Sequence, residues 1–141
     1  MEAVTRTGPA RPYGITSTPL TYDPPVSDPA TDLPIVTVIC NEERPGLESY
    51  KLQAKPARQL VNLVDVPVLV VTTESGYHAV YDHCTVEYLR QAGVKAVEHL
   101  ELAKVGVMGN GHFMFMEKNN LEIAGLVEKW INSVASSSLQ E

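Results

Sequence analysis

The stretch that most limits what this chain can become is Val66-Pro67-Val68-Leu69-Val70-Val71-Thr72. It is β-branched and almost continuously apolar, the pattern of a strand covered on both faces inside a parallel sheet. Such a strand needs neighbours. A polar turn follows, Thr73-Glu74-Ser75-Gly76, and then a helix with Tyr81, Cys84, Thr85, Tyr88, Leu89 and Ala92 on its inner face. Those positions recur with helical spacing, and Gly93 stands where a C′ glycine ends a helix. A second strand is expected over Val97–Leu102, with Leu100 and Leu102 on one face and His99 and Glu101 on the other, half exposed as an edge strand. Parallel pairing of the two strands through a right-handed helical crossover is the preferred arrangement. A last helix carries Ile123, Leu126, Val127, Trp130, Ile131 and Val134 on one stripe, and Asn119 and Glu122 have the spacing of a capping box.

The first part of the chain reads differently. Pro9, Pro12, Pro19, Pro24, Pro25, Pro29, Pro34 and Pro45 fix φ and remove backbone donors, which forbids long helices and central strands. This segment reads as an excursion rather than a core. Pro34–Cys40 could form a short strand, with no partner evident, and Leu47–Leu63 has helical composition broken by Pro56. One short helix is expected there, with Ala57, Leu60 and Val61 on one face. The expected division is therefore residues 1–63, a proline-rich excursion with a short helix, and residues 64–141, an α/β portion.

With 141 residues, 44% of them hydrophobic, the chain is about one soluble domain long. Its formal charge of -6, from 17 acidic and 11 basic residues, and the lack of a basic patch argue against a nucleic-acid partner. No apolar run approaches the roughly 20 residues of a membrane span. Cys40 and Cys84 form no C-x-x-C pattern and read as buried thiols. Met1–Arg6 lacks the features of a secretory leader, so a cytoplasmic location is the default, to be revised by any signal upstream of Met1.

The candidate functional residue is His112, in Gly109-Asn110-Gly111-His112-Phe113-Met114-Phe115-Met116-Glu117-Lys118-Asn119. Two glycines bracketing a polar residue let a loop turn tightly and present the imidazole. His78, Asp82, His83 and Cys84 are ligand-type residues, and His78 and Asp82 could share a helical face around a metal. His83 points about 100° away from Asp82 and Cys84 falls on the buried stripe, so the set does not converge. Asp82 is then expected as a helix cap and His78 as a rim residue. Phe113, Met114, Phe115 and Met116 are expected to pack on the sheet rather than form a cofactor surface, and Glu117 and Lys118 to be a solvated helix start. No metal and no cofactor is expected.

The run Val66–Val71 followed by Gly109-Asn110-Gly111-His112 resembles the C-terminal end of an α/β-hydrolase. The proline-rich stretch from Tyr13 to Pro29, Tyr77–Cys84 and Gly111–Asn119 are, more narrowly, similar to a group of bacterial and fungal esterase-like hydrolases. The resemblance covers most of the chain. It implies an α/β fold made of the last two parallel strands of such an enzyme, their flanking helices and a proline-rich excursion. It also implies that His112 is the catalytic histidine and that the intact family member acts on a small-molecule ester. In that group the catalytic acid is a glutamate after the sixth strand.

The remaining machinery is not encoded here. No G-x-S-x-G nucleophile elbow occurs, Ser75 lacks the first glycine and follows the wrong strand, and the oxyanion hole has no source. By register against the commoner hydrolase pattern Gly76 takes the acid's place, with Glu74 two residues before it; Glu2 has no claim to that role. The chain is therefore expected to be a truncated hydrolase segment, inactive alone. A non-catalytic interaction module, or a small metal-binding domain, is the alternative.

Overall fold

The computed structural model describes residues 15–40 and 46–137. The expectations for Pro9, Pro12, Pro45, Tyr13, Gly14 and the Met1–Arg6 start lie outside those residues. In chain order the elements are β1 (Tyr22–Asp23), α1 (Pro29–Asp32), β2 (Ile35–Val38), β3 (Tyr50–Gln53), β4 (Gln59–Leu60), β5 (Val68–Thr72), α2 (Asp82–Gln91), β6 (Val97–Glu101) and α3 (Asn120–Ser137). Single-turn 3-10 helices lie at Leu102–Val105 and Met114–Met116. The chain divides into two compact units, one running to Val70 and including Val80–Leu100, the other comprising Val71–Ala79 and the residues from Glu101 onward.

In the first unit the proline-rich segment is more than an excursion. Tyr22 and Leu33 are buried with Leu60, Val86, Tyr88, Leu89, Ala92, Val94 and Val97 in one apolar cluster, so this segment supplies part of the core. Its carbonyls, which prolines leave without a regular ladder, find another donor. Arg58 Nε donates to the Asp32 carbonyl at 2.8 Å, and one terminal nitrogen donates to the Pro24 and Pro25 carbonyls at 2.7 and 2.9 Å. Asp28 caps the single turn of α1 by accepting from the Ala30 N–H, and the Asp32 carboxylate accepts from Asp28 and Ser27 N–H groups. Those backbone donors hold the Asp32 carboxyl below the usual carboxylate range.

The helix expected within Leu47–Leu63 is absent, and β3 and β4 stand in its place. β3 pairs antiparallel with β2, Ile35 opposite Gln53 and Val38 opposite Tyr50, which supplies the partner that β2 lacked in sequence. β4 pairs antiparallel with β1, Tyr22 opposite Leu60. Tertiary pairing overrides a weak helical composition that Pro56 had already interrupted. Gln91 at the end of α2 adds a side-chain rung to β3: its amide accepts from the Gln53 N–H and donates to the Gln53 carbonyl, both at 2.9 Å. The Tyr22 and Tyr88 hydroxyls meet at 2.9 Å between β1 and α2. Burial pushes both phenols above their ordinary value, most strongly at Tyr88, which its partner raises further.

β5 and β6 form a two-stranded parallel pair joined through α2, as the sequence pattern requires. Val68 N–H donates to the Ala96 carbonyl, and Lys95 N–H to that of Val64, at the start of this pairing. The complete burial expected for β5 is not reached: Val68, Leu69, Val70 and Val71 are each half-buried, because among the described residues only β6 flanks the strand. β6 ends at Glu101, and Leu102, expected as its last residue, opens a 3-10 turn and is fully buried. α2 buries Cys84, Tyr88, Leu89 and Val86, and Gly93 follows it with a φ of 84°. Asp82 is the first residue of this helix rather than its cap: Tyr81 holds the capping position and makes no side-chain capping bond.

In the second unit α3 buries Ile123 and half-buries Leu126, Val127, Trp130 and Val134 of the expected stripe, while Ile131 is exposed. The 3-10 turn at Met114–Met116 packs on α3, not on a sheet. Phe113, Phe115 and Met116 remain exposed, which corrects the expectation that this apolar run is covered. Between the turn and the helix lies an apolar groove of about 380 Å³, lined among others by Met114, Phe115, Leu121, Ile123, Val127 and Ile131.

Candidate functional site

His112 stands on a loop whose backbone is bonded by the Glu74 and Glu117 side chains and by the Ser75 N–H, all of the second unit. Gly109, at a φ of 76°, takes the left-handed turn that only glycine adopts freely, and its N–H donates to Glu74 Oε2 at 2.7 Å. Asn110 is 1% exposed and uses both ends of its amide: Nδ2 donates to Glu117 Oε2 at 2.9 Å and Asn119 Oδ1 at 2.7 Å, and Oδ1 accepts from Asn119 Nδ2 at 3.0 Å. Its carbonyl accepts from the Ser75 N–H at 2.9 Å. Gly111 N–H donates to the other oxygen of Glu117 at 2.7 Å. The residue before His112 is thus bonded, and so are the two before that.

Two sequence expectations change here. Glu117 is not a solvated helix start; its carboxylate bridges Asn110 and Gly111. Asn119 does precede α3, and its carbonyl accepts from the Glu122 and Ile123 N–H groups, but its side chain pairs with Asn110 instead of closing a capping box. The sequence signal that could have found this was the polar residue between two glycines in a loop leading to apolar residues, since a buried amide there requires partners.

The imidazole itself is exposed and belongs to an aromatic group. The His78 ring stacks on it with centroids 4.6 Å apart and planes within 7°. Tyr77 lies 4.6 Å away, its hydroxyl 3.4 Å from His112 Nε2, and Phe113 meets the ring edge-on at 5.1 Å. His78, expected at a rim, is therefore a direct neighbour of His112. No carboxylate is seen within bonding reach of the His112 ring among the described contacts; Glu74 instead binds Gly109. Gly76, which the resemblance to α/β-hydrolases aligns with an acid, is buried, and a Cβ there would run into Thr73 Oγ1. A carboxylate could not be placed at this position without moving Thr73.

The four ligand-type residues of the sequence separate. His78 lies in the second unit, and Asp82, His83 and Cys84 lie in the first. Asp82 is buried, and His83 meets Cys40, which is half-buried rather than the buried thiol expected. Among the described residues no three His, Cys, Asp or Glu side chains are arranged to hold a metal ion.

No family model matches this chain, and no solved structure matches it. It is similar to the probable secreted lipase phiG of a fungal species (strain ATCC 74256), 50% identical over 125 residues. That match takes in 89% of this chain and 34% of the relative, so the chain spans about a third of the length of the lipase it resembles.

Proposed function

We propose that this chain is the histidine-bearing portion of a serine-type α/β-hydrolase that cleaves carboxylic esters, with His112 as its general base and then general acid. The observation that carries the reading is the half-identical match to a lipase across 89% of the chain. The parallel β5/β6 pair with its helical crossover and the exposed imidazole on a fixed loop are consistent with it. In this reading one ring nitrogen of His112 takes the proton of a serine hydroxyl as it attacks the ester carbonyl. The same nitrogen then returns the proton to the departing alcohol. Loop fixation by Asn110 and Glu117 limits the positions the imidazole can take, which lowers the entropy lost in reaching the reactive geometry. The serine, the orienting carboxylate and the oxyanion donors belong to the remainder of such an enzyme, so the chain alone has no esterase activity. Since the similar lipase is named as secreted, an extracellular setting replaces the cytoplasmic default.

The test is a chimera in which the matching segment of the lipase is replaced by this chain. It is expected to hydrolyse a short activated ester, and His112→Ala should lower kcat by about three to six orders of magnitude with little change in folding. Near-normal turnover by that variant would make His112 a structural residue and remove the proposal.

A further inference from the structure

In the first unit two thiols converge on one imidazole. Cys40 follows β2 by two residues, Cys84 is the third residue of α2, and both sulfurs meet Nε2 of His83. Cys40 Sγ lies 3.7 Å from that nitrogen and Cys84 Sγ 3.6 Å from it. The Glu48 carbonyl sits 3.1 Å from the same nitrogen and accepts from the Cys40 thiol at 3.2 Å. His83 is 4% exposed, and Tyr50 packs edge-on against it at 5.2 Å, so the ring is held where both sulfurs can reach it. Ester hydrolysis uses none of these groups.

We propose that Cys40 and Cys84 form a dithiol site, gated by His83, that closes to an intramolecular disulfide by exchange with a low-molecular-weight disulfide. The two thiols differ in access, and that sets the order. Cys40 is half-buried and meets the reagent first; Cys84 is buried and can react only from inside. The Cys40 thiolate attacks one sulfur of the reagent, its S–S bond breaks, and the first thiolate leaves, giving a mixed disulfide on Cys40. Cys84 then attacks Cys40 Sγ and expels the second thiolate. The two thiol protons end on the two leaving thiolates, and the reagent is reduced by the two electrons that the cysteines lose. An imidazole nitrogen within reach of both sulfurs assists each step, since the reactive form is the thiolate and a neighbouring imidazole favours it. The same arrangement distinguishes the pair from two unrelated core thiols, which would have no shared polar neighbour.

The experiment uses the full chain and oxidised glutathione near neutral pH, with timed acid quenching, alkylation and mass spectrometry. The expected product has lost the mass of two hydrogens, carries no glutathione, resists alkylation and yields a Cys40–Cys84 cross-linked peptide. Closure should be at least about tenfold faster than in the urea-unfolded chain, where the thiols meet only by chain diffusion. Cys84→Ser should trap glutathione on Cys40, and Cys40→Ser should leave Cys84 unmodified. His83→Gln, checked for a native circular dichroism spectrum, should slow closure by about tenfold. Two freely alkylated thiols after prolonged exposure, or closure no faster than in the unfolded chain, would overturn the proposal. Glutathione on Cys84 in Cys40→Ser would overturn the order of attack, and an unchanged rate in folded His83→Gln would overturn the part given to the imidazole.

Discussion

Asn110 is the residue on which the His112 loop depends. Its buried amide bonds Glu117 and Asn119, and its carbonyl fixes Ser75. Truncating it would leave the Asn119 amide and one oxygen of Glu117 without their present partners. Asn110→Ala is therefore expected to cost roughly 2 to 4 kcal/mol of unfolding free energy, by the penalty for stranded buried polar groups, read as a lower urea midpoint. Hydrogen exchange at Gly111 and Ser75 should accelerate in the same variant. Little of this was legible in the sequence. Asn119 and Glu122 have capping-box spacing, and Glu117 sits where a helix start is solvated, so local rules assign both away from the loop. Pairing of a side chain with another nine positions away across a turn leaves no periodic signature, and only the two glycines around Asn110 marked the place.

At the scale of elements, α2, β6 and α3 were legible from their apolar periods and β5 from its nearly continuous β-branched run. The segment between β2 and β5 was not. Leu47–Leu63 contains residues that suit a helix, yet β2 and β1 offer edges to be paired, and pairing decides the outcome. The Tyr22–Tyr88 contact joins β1 to α2, and it gives the fold an alkaline limit. Both phenols are held above their ordinary value, so the folded chain binds their protons more tightly than the unfolded chain does. The stability gained from keeping them neutral is whole below pH of about 10 and falls as the pH rises toward the folded values. Urea midpoints measured from pH 8 to roughly 12 should decline beyond about pH 10. Tyr88→Phe should lower the midpoint at neutral pH and make the alkaline decline shallower; an equally steep decline would place its origin elsewhere.

The described residues present apolar surface that they leave uncovered. Leu121 is 82% exposed and Met116 75%, beside the groove of α3, and β5 has a strand on one edge only among the described residues. Exposed apolar patches and open strand edges favour association. The isolated chain is expected to self-associate with rising concentration, measured by sedimentation velocity. Leu121→Lys with Phe115→Ser should shift it toward monomer if the α3 face dominates, and leave it unchanged if the β5 edge does. Arg58 has a different reach. A single guanidinium holds the carbonyls of Pro24, Pro25 and Asp32, so those peptide bonds share one latch rather than three separate ones. Loss of the latch should convert a protease-resistant segment into a cleavable one in a single step. In Arg58→Ala, limited digestion is expected to cut first between residues 20 and 33, a site that the unaltered chain should keep closed under the same dose.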